Sequence, residues 1–364
     1  MPPNKKQNIL KYKPNMQDNV KFGVGLISEN PFVTVIITCY NRKKYLVSAI
    51  ESVLDQSAPR DSYEIILIKN YADELIDSMC LENRITNLTM EGTIGQYLKE
   101  GLKLSRGKLI AFLDDDDRFT HDKITLILKT YMVTDFDYLH NNFFEIDDRG
   151  VLKRSIRRKL HLTKDISDAI TNQANLNGSS IVKLLKSDAD FNMSCITISS
   201  RLISYLNYYL DGVTSCQDGF LFYAALNAGK LTVIGDKLTE YRVHESTSNI
   251  GGTFCSFSSS ILRQGLAEIR SLMALTPALQ SELAKKYLQR EINIKCLKLY
   301  AIVGKEAYSE LSIKLTEIVK SYGYSALRYP LYIIWILVYL MSFIFGDLPR
   351  RAVYQYINSI LLRK

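Results

Sequence analysis

Four consecutive aspartates follow a short apolar run, and together these two features constrain the fold more than any other stretch of the sequence. The apolar run, Leu109–Leu113, has the length and composition of a buried central strand. The aspartates, Asp114–Asp117, then lie at the carboxyl end of that strand, where open α/β sheets bind their ligands. Adjacent carboxylates repel one another, and a divalent cation such as Mg²⁺ or Mn²⁺ would neutralise them while sharing its remaining positions with phosphate and water. The run therefore indicates either a metal–diphosphate site or an acidic turn after a strand.

Strands and helices alternate through the first third of the chain. Val33–Cys39 is β-branched and apolar, which predicts a buried strand, and apolar residues at helical spacing predict a helix over Lys43–Gln56. The same patterns predict strands at Tyr63–Ile68 and around Leu88, and a helix over Ile94–Ser105. This alternation specifies βαβ units, so the predicted fold class is α/β with a doubly wound, mostly parallel, Rossmann-like sheet. No GxxxxGK[ST] or GxGxxG motif follows the first strand, which excludes the P-loop and dinucleotide-binding folds.

The chain after the aspartates continues to mix helices and strands before it becomes helical throughout. The segments concerned are helices over Asp122–Met132 and Asp218–Ala228, a hairpin turn at Asp147–Gly150, and strands at Cys195–Ile198, Leu231–Ile234 and Leu238–Val243. From about Ser258 only helical periodicity remains. We therefore divide the chain into a polar tail at 1–30, an α/β domain at 31–252 and an all-helical C-terminal region at 253–364.

Composition and charge exclude several classes of function. The 364 residues are 47% hydrophobic and 23% charged, which is typical of a globular protein. The net charge of +8 would suit an anionic partner. The sequence contains no basic helix with interleaved aromatic residues, so nucleic-acid binding is not expected. The six cysteines form no CxxC pair, so we expect neither a zinc site nor a disulfide framework. This use of cysteine indicates a reducing, cytosolic compartment.

The C-terminal region contains an uncharged, aromatic-rich segment, Tyr329–Gly346, with basic residues on both sides. Its length is at the lower limit for spanning a bilayer, and an amphipathic stripe follows it from Val353 to Leu361. Aromatic residues with basic flanks favour a pair of interfacial or shallowly embedded helices over about 329–362, although a buried helix of a soluble protein has a similar pattern. The predicted location is the cytoplasmic face of a membrane.

Three segments, taken in order, resemble glycosyltransferase family 2, the inverting family with the GT-A fold. Val33–Arg42 resembles the first strand and nucleotide-binding turn of that family, and Gly101–Asp117 resembles its DXD segment. The third segment begins with Gln217–Gly219, which resembles the catalytic acidic pair of the family, and extends to Tyr241–Ser248, which resembles its late Arg-x-His segment. The likeness covers about 31–250 and leaves the helical C-terminal region outside.

The resemblance implies a nucleotide-sugar donor, UDP- or GDP-linked, whose diphosphate is bridged by Mg²⁺ or Mn²⁺. Asp116 and His244 would be the metal ligands, and Asp114 would contact the ribose side of the donor. A cation at this place would offset the charge that grows on the departing nucleoside diphosphate. The donor-binding residues that the match implies are Thr38, Tyr40, Arg42, Asn70, Lys99, Asp114, Asp115 and Arg242.

Asp218 matches the general base of the family. It would take the proton of an acceptor hydroxyl while the oxygen attacks the anomeric carbon, a step in which a positioned base typically contributes about 10²–10⁴ in rate. One displacement of this kind inverts the anomeric centre. Spacing alone favours Asp218 as the N-cap of the helix that it opens, whereas the other matched segments favour it as the base.

Two departures from the family pattern keep other interpretations open. Lys69-Asn70 stands where aspartates usually contact the base, and Lys99-Glu100 replaces the usual Arg-Asn pair. The identity of the base therefore stays open, and the alternative function is a catalytically silent module that binds a sugar nucleotide or glycan at a membrane. For the enzyme, a lipid-linked or glycan acceptor would explain the C-terminal helices.

Overall fold

The computed structural model describes residues 30–153, 169–171, 177–244, 254–304, 307, 337–338, 340–341 and 344–362. Within them, nine strands form one sheet. The strands are β1 (Val33–Cys39), β2 (Tyr63–Lys69), β3 (Thr86–Thr89), β4 (Leu109–Asp114), β5 (Arg118–Phe119), β6 (Tyr138–Ile146), β7 (Ala169–Thr171), β8 (Ile196–Ser199) and β9 (Leu231–Arg242).

The α-helices of the described residues lie between these strands and after the last of them. They are α1 (Leu46–Leu54), α2 (Glu74–Glu82), α3 (Ile94–Leu104), α4 (Lys123–Thr134), α5 (Gly178–Lys186), α6 (Ile203–Leu206), α7 (Gln217–Ala228), α8 (Phe254–Leu275), α9 (Glu282–Val303) and α10 (Leu348–Leu362).

The sheet has the order β3-β2-β1-β4-β8-β6-β9-β5, with β7 paired to β9. The first four strands are parallel, and β1 lies between β2 and β4. β8 is antiparallel to both of its neighbours, β4 and β6, whereas β6 and β9 are parallel. The predicted α/β fold, a doubly wound and mostly parallel sheet followed by helices, is thereby confirmed. Because β1 and β4 are parallel and in register, Thr38 lies opposite Asp114 and both strands end at one edge of the sheet.

The last strand differs from its prediction. Leu231–Ile234 and Leu238–Val243 are predicted as two strands, but they belong to one strand, β9. The register between β6 and β9 shifts on both sides of Asn142, so the polar residues between the two apolar segments are absorbed as an irregularity and the strand continues. This continuity carries the chain directly to Arg242 at the edge where the aspartates lie.

Helix α2 is not predicted from the apolar pattern, because only Ile76 and Cys80 of its nine residues are buried. Its start is nevertheless marked in the sequence. Asp73 is the N-cap, and its carboxylate accepts a hydrogen bond from the Ile76 N–H at 3.2 Å. The cap therefore predicts this helix better than the hydrophobic periodicity does.

Alternate side chains of β1 enter two different apolar cores. Ile36 faces a core that it shares with α3, α7, α8 and α9, whereas Val35 and Ile37 face a core shared with α1 and α4. All three side chains are fully buried, as expected for a central strand with helices on both faces. The C-terminal helices α8 and α9 therefore pack in the same core as α7.

Among the helices that the structure describes, none combines the length and the hydropathy needed to cross a bilayer. Most of the uncharged segment Tyr329–Gly346 lies outside the described residues, as does the polar tail apart from Asn30. The described residues before α10 carry several exposed apolar side chains, namely Leu337, Leu340, Met341, Ile344 and Phe345. Tyr354 of α10 packs against the core that contains α8 and α9.

Candidate active site

Carboxylates collect at the edge of the sheet where β1 and β4 end. Asp114 is the last residue of β4, and the chain turns after it, with the Asp117 N–H donating to the Asp114 carbonyl at 3.3 Å. The other three aspartates are buried, with Asp115 and Asp117 each 2% exposed and Asp116 7% exposed. The four aspartates after the apolar run therefore form a largely buried anionic group, which we call the aspartate corner (Asp114–Asp117).

Removal from water and mutual repulsion raise the pKa values of the aspartate corner. Burial, followed by the charge of Asp116, raises the pKa of Asp117 to about 7. Burial also raises the pKa of Asp115 to about 6, although the Arg42 guanidinium opposes the shift. The pKa of Asp114 is raised well above its ordinary value, by burial first and then by the neighbouring carboxylates, including Asp218. An added cation would lower all of these pKa values, so the corner is electrostatically suited to bind one.

Arg42 is the positive group paired with this corner. It lies in the segment between β1 and α1, and its Nη2 contacts Asp115 Oδ1 at 2.5 Å while its Nη1 contacts Asp116 Oδ2 at 2.6 Å. Its side chain keeps 32% of its surface exposed. Arg42, which the family resemblance assigns to the donor site, therefore lies beside the aspartates, and its partners in this structure are carboxylates.

His244 reaches the same corner from the residues after β9. Its Nε2 lies 2.9 Å from Asp116 Oδ2 and 3.3 Å from Arg42 Nη1, and the side chain is buried. Two ligands of one octahedral ion, each about 2.1 Å from the metal, lie about 3 Å apart when they occupy adjacent positions. The 2.9 Å between Asp116 Oδ2 and His244 Nε2 is a hydrogen bond in this structure, and it equals the spacing of two adjacent ligands of a divalent ion.

Asp116 and His244 are two side chains of the kinds that ligate divalent ions. Within the described residues, no group of three or more His, Cys, Asp or Glu side chains could by itself hold a metal ion. Mg²⁺ commonly takes one or two carboxylates and completes its shell with phosphate oxygens and water. Asp116 and His244 fit that incomplete kind of site, in which a bound diphosphate supplies the remaining ligands.

Arg242 holds the turn of the aspartate corner. Its backbone N–H donates to Asp117 Oδ1 and its Nε donates to the Asp116 carbonyl, both at 2.8 Å. Its Nη1 donates to the Asp147 carbonyl at 2.9 Å, and its guanidinium lies 4.5 Å from the ring centroid of Tyr45. Arg242 thus lies beside the aspartate corner, and its guanidinium donates to backbone carbonyls in this structure.

Asp218 lies at the start of α7 and is partly buried. The N-cap of this helix is Cys216, with a φ of 56°, so the alternative prediction that Asp218 is the cap is wrong. Its Oδ2 accepts the Asn192 N–H at 3.0 Å, and its Oδ1 accepts the Gly219 N–H at 2.8 Å. Burial raises the pKa of Asp218, while these two hydrogen bonds oppose the rise. The result is an oriented carboxylate with more basic character than an exposed aspartate has.

One short turn connects Asp218 with the aspartate corner. It is a single 3-10 turn over Met193–Cys195, preceded by Asn192 with a φ of 67°. Asn192 donates its N–H to Asp218, and two residues later Ser194 Oγ accepts the Asp114 N–H at 3.0 Å. The two parts of the site are therefore held by the same few residues, which we call the bridging turn (Asn192–Cys195). This turn could not be identified from the sequence, because nothing in its local pattern shows what it contacts.

Lys123 is a second site residue that the sequence analysis does not identify. Its side chain is fully buried, and its Nζ donates to the Ser194 carbonyl at 2.6 Å and lies 3.0 Å from Thr239 Oγ1. The sequence does contain a signal, since Lys123 precedes Ile127 and Tyr131 at intervals of four and therefore lies on the apolar stripe of its helix. Lys123 thus holds the bridging turn through its hydrogen bond to the Ser194 carbonyl.

The remaining predicted donor residues have mixed surroundings. Tyr40 follows β1 with 58% of its surface exposed, so its ring is available for stacking, and Thr38 is buried near the end of the strand. Asn70 is paired with Asn41, whose N–H donates to Asn70 Oδ1 at 2.9 Å. Lys99 forms an ion pair with Asp211. The structure therefore places Thr38 at the strand edge that carries the aspartate corner, and it gives Asn70 and Lys99 partners outside the corner.

Comparisons with known proteins agree with this geometry. Residues 34–193 match the model of glycosyl transferase family 2. An uncharacterized glycosyltransferase of Rickettsia bellii (strain RML369-C) is 35% identical over 129 residues, which cover 34% of this chain and 18% of that relative. The chain thus matches less than a fifth of the length of that protein.

Two solved structures share the fold over almost the whole chain. S. aureus TarS 1–349 in complex with UDP-GlcNAc has 14% identity and a TM-score of 0.51, covering 90% of this chain and 91% of that one. Mannosyltransferase PcManGT from Pyrobaculum calidifontis, in complex with GDP-Man and Mn²⁺, has 12% identity and a TM-score of 0.50, covering 87% of this chain and 88% of that one. At such identities the likeness concerns the fold alone, and it agrees with the GT-A expectation. The family match itself, over a segment that contains the aspartate corner, assigns residues 34–193 to glycosyl transferase family 2.

Proposed function

We propose that the chain is a metal-dependent, inverting glycosyltransferase that moves a sugar from a nucleotide-sugar donor to a hydroxyl acceptor. The observation that carries the proposal is the bridging turn, because it joins a buried anionic corner to a basic carboxylate across one site. An acidic turn without function would need no such link to Asp218. Asp116 and His244, which would supply two ligands of a metal shell, support the same interpretation.

The residues of the chain divide the chemistry between them. Asp116 and His244 would hold Mg²⁺ or Mn²⁺, which when bound would offset the negative charge of the departing nucleoside diphosphate. Asp218 takes the proton of the acceptor hydroxyl as its oxygen attacks the anomeric carbon, and the sugar–phosphate bond breaks on the opposite face. The N–H groups of Asn192 and Gly219 fix the Asp218 carboxylate while it does so. A single displacement gives inversion.

The donor is a UDP- or GDP-linked sugar. Structures with the same fold are those of a protein in complex with UDP-GlcNAc and of one in complex with GDP-Man, which supports either base. The exposed ring of Tyr40 is available to stack on the base, since it lies beside the end of β1. The Asn41–Asn70 pair, with side-chain amides at 2.8 Å, offers neutral hydrogen-bonding groups at the place where base selection would occur.

A catalytically silent module that binds a sugar nucleotide or glycan is the second candidate. Two basic side chains at donor positions of the family pattern support it, since both are engaged elsewhere in the protein. Lys69 is fully buried and pairs with Asp77 at 2.8 Å, and Lys99 pairs with Asp211. With Lys99 engaged by Asp211, less positive charge is left for the diphosphate, and a module that binds without turnover needs less of it than an enzyme does.

Release of nucleoside diphosphate separates the two candidates. Purified protein with Mn²⁺ and a panel of UDP- and GDP-sugars should release it, and Asp116→Asn and Asp218→Asn should each lower the rate by about 10² or more. Asp61→Asn, at an exposed position on a turn before β2, is the matched control and should keep the wild-type rate. Equal rates in all variants would remove the site assignment. Saturable donor binding without release would favour the silent module.

We also propose a membrane-proximal, lipid-linked acceptor and attachment to the cytoplasmic face of a membrane. The exposed apolar side chains before α10, among them Ile344 and Phe345, support the attachment, since they are suited to burial in a lipid interface. In a flotation assay with vesicles of anionic phospholipid, a smaller fraction of the double variant Ile344→Ser/Phe345→Ser should rise with the vesicles than of the wild type. A matched variant, Leu75→Ser/Leu81→Ser, alters two exposed leucines of α2 and should float like the wild type. Wild-type protein that never floats would exclude the attachment.

A further inference from the structure

The Arg42 guanidinium contacts both atoms that are spaced as metal ligands. Its Nη1 lies 2.6 Å from Asp116 Oδ2 and 3.3 Å from His244 Nε2, and these two atoms are 2.9 Å apart. The second nitrogen of the fork, Nη2, contacts Asp115 at 2.5 Å. Arg42 is therefore a cation of the protein that lies at the place assigned to a metal cation.

The distances leave little room for two cations. An ion about 2.1 Å from both Asp116 Oδ2 and His244 Nε2 would lie about 4 Å or less from Arg42 Nη1, wherever around the pair it is placed. On the side of the pair that faces Arg42, the ion and the nitrogen would overlap. On any other side, a dication and a guanidinium would face each other at close range with little water between them, since Asp116 and His244 are both buried.

We propose that Arg42 and the divalent ion exchange at this site: the guanidinium neutralises Asp116 in the metal-free protein, and the metal binds only by displacing it. This inference rests on the proposed metal-dependent function. It adds that the metal-free site is already closed by a charge of the protein, so metal binding carries the cost of breaking the Arg42 ion pairs with Asp115 and Asp116.

The displaced guanidinium has a route away from the corner and a new partner to meet. Its side chain is 32% exposed, and it follows Asn41, which has a φ of 53° in the turn after β1. The diphosphate of a donor bound to the metal is the kind of anion that an arginine fork binds through two hydrogen bonds. The exchange therefore couples the two ligands, because a diphosphate that accepts Arg42 favours metal binding and the metal favours the diphosphate by the same factor.

The opposite role for Arg42 makes the opposite prediction. If Arg42 were a fixed clamp that keeps Asp116 oriented for the metal, its removal would loosen the carboxylate and weaken metal binding. If it is a competing cation, its removal frees Asp116 Oδ2 and His244 Nε2 and strengthens metal binding. The sign of the change in affinity therefore distinguishes the two roles.

Mn²⁺ affinity, measured through the electron paramagnetic resonance signal of the free ion, tests the exchange without any turnover. In the absence of nucleotide, Arg42→Gln should bind Mn²⁺ about tenfold more tightly than the wild type. Lys43→Gln is the matched control, because it removes the same charge from the next residue, whose partner is Asp73 at 2.8 Å. Its affinity should stay within about twofold of the wild type. UDP or GDP should increase Mn²⁺ affinity more in the wild type than in Arg42→Gln.

Each outcome decides the inference. Tighter binding in Arg42→Gln alone supports it, and circular dichroism checks that the variant is folded. If it is not, Arg42→Lys serves instead and should show a smaller tightening, since a lysine cannot contact Asp115 and Asp116 with one planar fork. Unchanged or weaker binding in a folded Arg42 variant, beside a wild type that binds Mn²⁺, overturns the exchange and leaves the proposed function intact. A wild type that binds no Mn²⁺, with or without nucleotide, overturns both.

Discussion

Lys123 is a charged residue in surroundings that disfavour charge. Its side chain is fully buried between the bridging turn and β9, and burial lowers its pKa to about 7. The charges of Cys195 and Asp117 oppose the shift. In the unfolded chain its pKa is near 10.5, so folding near neutral pH and below either buries a charge or releases a proton.

We therefore expect Lys123 to make stability depend on pH in a direction that can be worked out. Between pH 7 and pH 10 the unfolded state holds more protons on this group than the folded state does, so stability rises with pH. Relative to Lys123→Met, the wild type should gain about 3 kcal/mol of unfolding free energy over this range, as measured by urea denaturation at both pH values. Lys129→Met, on the exposed side of the same helix, should show no such gain. A constant difference between wild type and Lys123→Met would contradict the buried, shifted amine.

The residues of the site differ in how far the sequence predicts them. The aspartates, Arg42 and His244 stand in motifs at the ends of predicted strands, and the parallel sheet brings strand ends together, so their meeting follows from the topology. Ser194 carries no such signal, because its role comes from what another segment places against it. Lys123 lies between these cases, since its position on an apolar stripe indicates burial but not its partners.

At the scale of elements, the bridging turn matters more than its length suggests. Ser194 presents its carbonyl to Lys123 and its Oγ to the backbone of Asp114, so the turn is fixed on one side to α4 and on the other to β4. Thr239 of β9 also donates to the Ser194 carbonyl, at 2.9 Å. Any displacement of this turn would change the distance between Asp218 and the aspartate corner.

Ser194→Ala is predicted to lower both the free energy of unfolding and the turnover. The Asp114 N–H loses its acceptor, which should cost about 1–2 kcal/mol of unfolding free energy. The aspartate corner can then shift relative to Asp218, and kcat should fall about tenfold. Thermal unfolding and steady-state kinetics measure the two effects. Ser57→Ala removes an exposed hydroxyl and should leave kcat unchanged. Stability loss in Ser194→Ala with full turnover would show that the turn does not position the site.

The elements themselves show where sequence patterns succeed and fail. β1 and β4 are predicted well because strands buried on both faces are apolar throughout. β9 is predicted as two strands because its polar interruption is compensated by a register shift on β6, a partner that the local sequence does not reveal. Helix α2 buries too few residues to show a period, and only its Asp73 cap marks it.

At the scale of the molecule, the helical C-terminal region supports α7, the helix that carries the proposed base Asp218. Helices α8 and α9 share one apolar core with α7, and Leu272 of α8 is fully buried there. Leu272 lies beside the start of α7, because its Cδ2 would be 3.7 Å from a Cβ placed on Gly219. The apolar stripes of the sequence predict that these helices are packed, but a stripe does not say which surface covers it, so their contact with α7 could not be predicted.

This packing predicts that a cavity beside α7 affects catalysis as well as stability. Leu272→Ala should lower the unfolding free energy by about 2–5 kcal/mol. It should also lower kcat about tenfold, because the helix start that carries Asp218 loses its support. Leu275→Ala is the control, since Leu275 is equally buried on the same helix, one turn from Leu272. It should lose comparable stability and keep kcat within about twofold of the wild type. Equal kcat losses in both variants would mean that the C-terminal helices stabilise the fold as a whole without positioning Asp218, whereas a loss confined to Leu272→Ala would assign them a part in the active site.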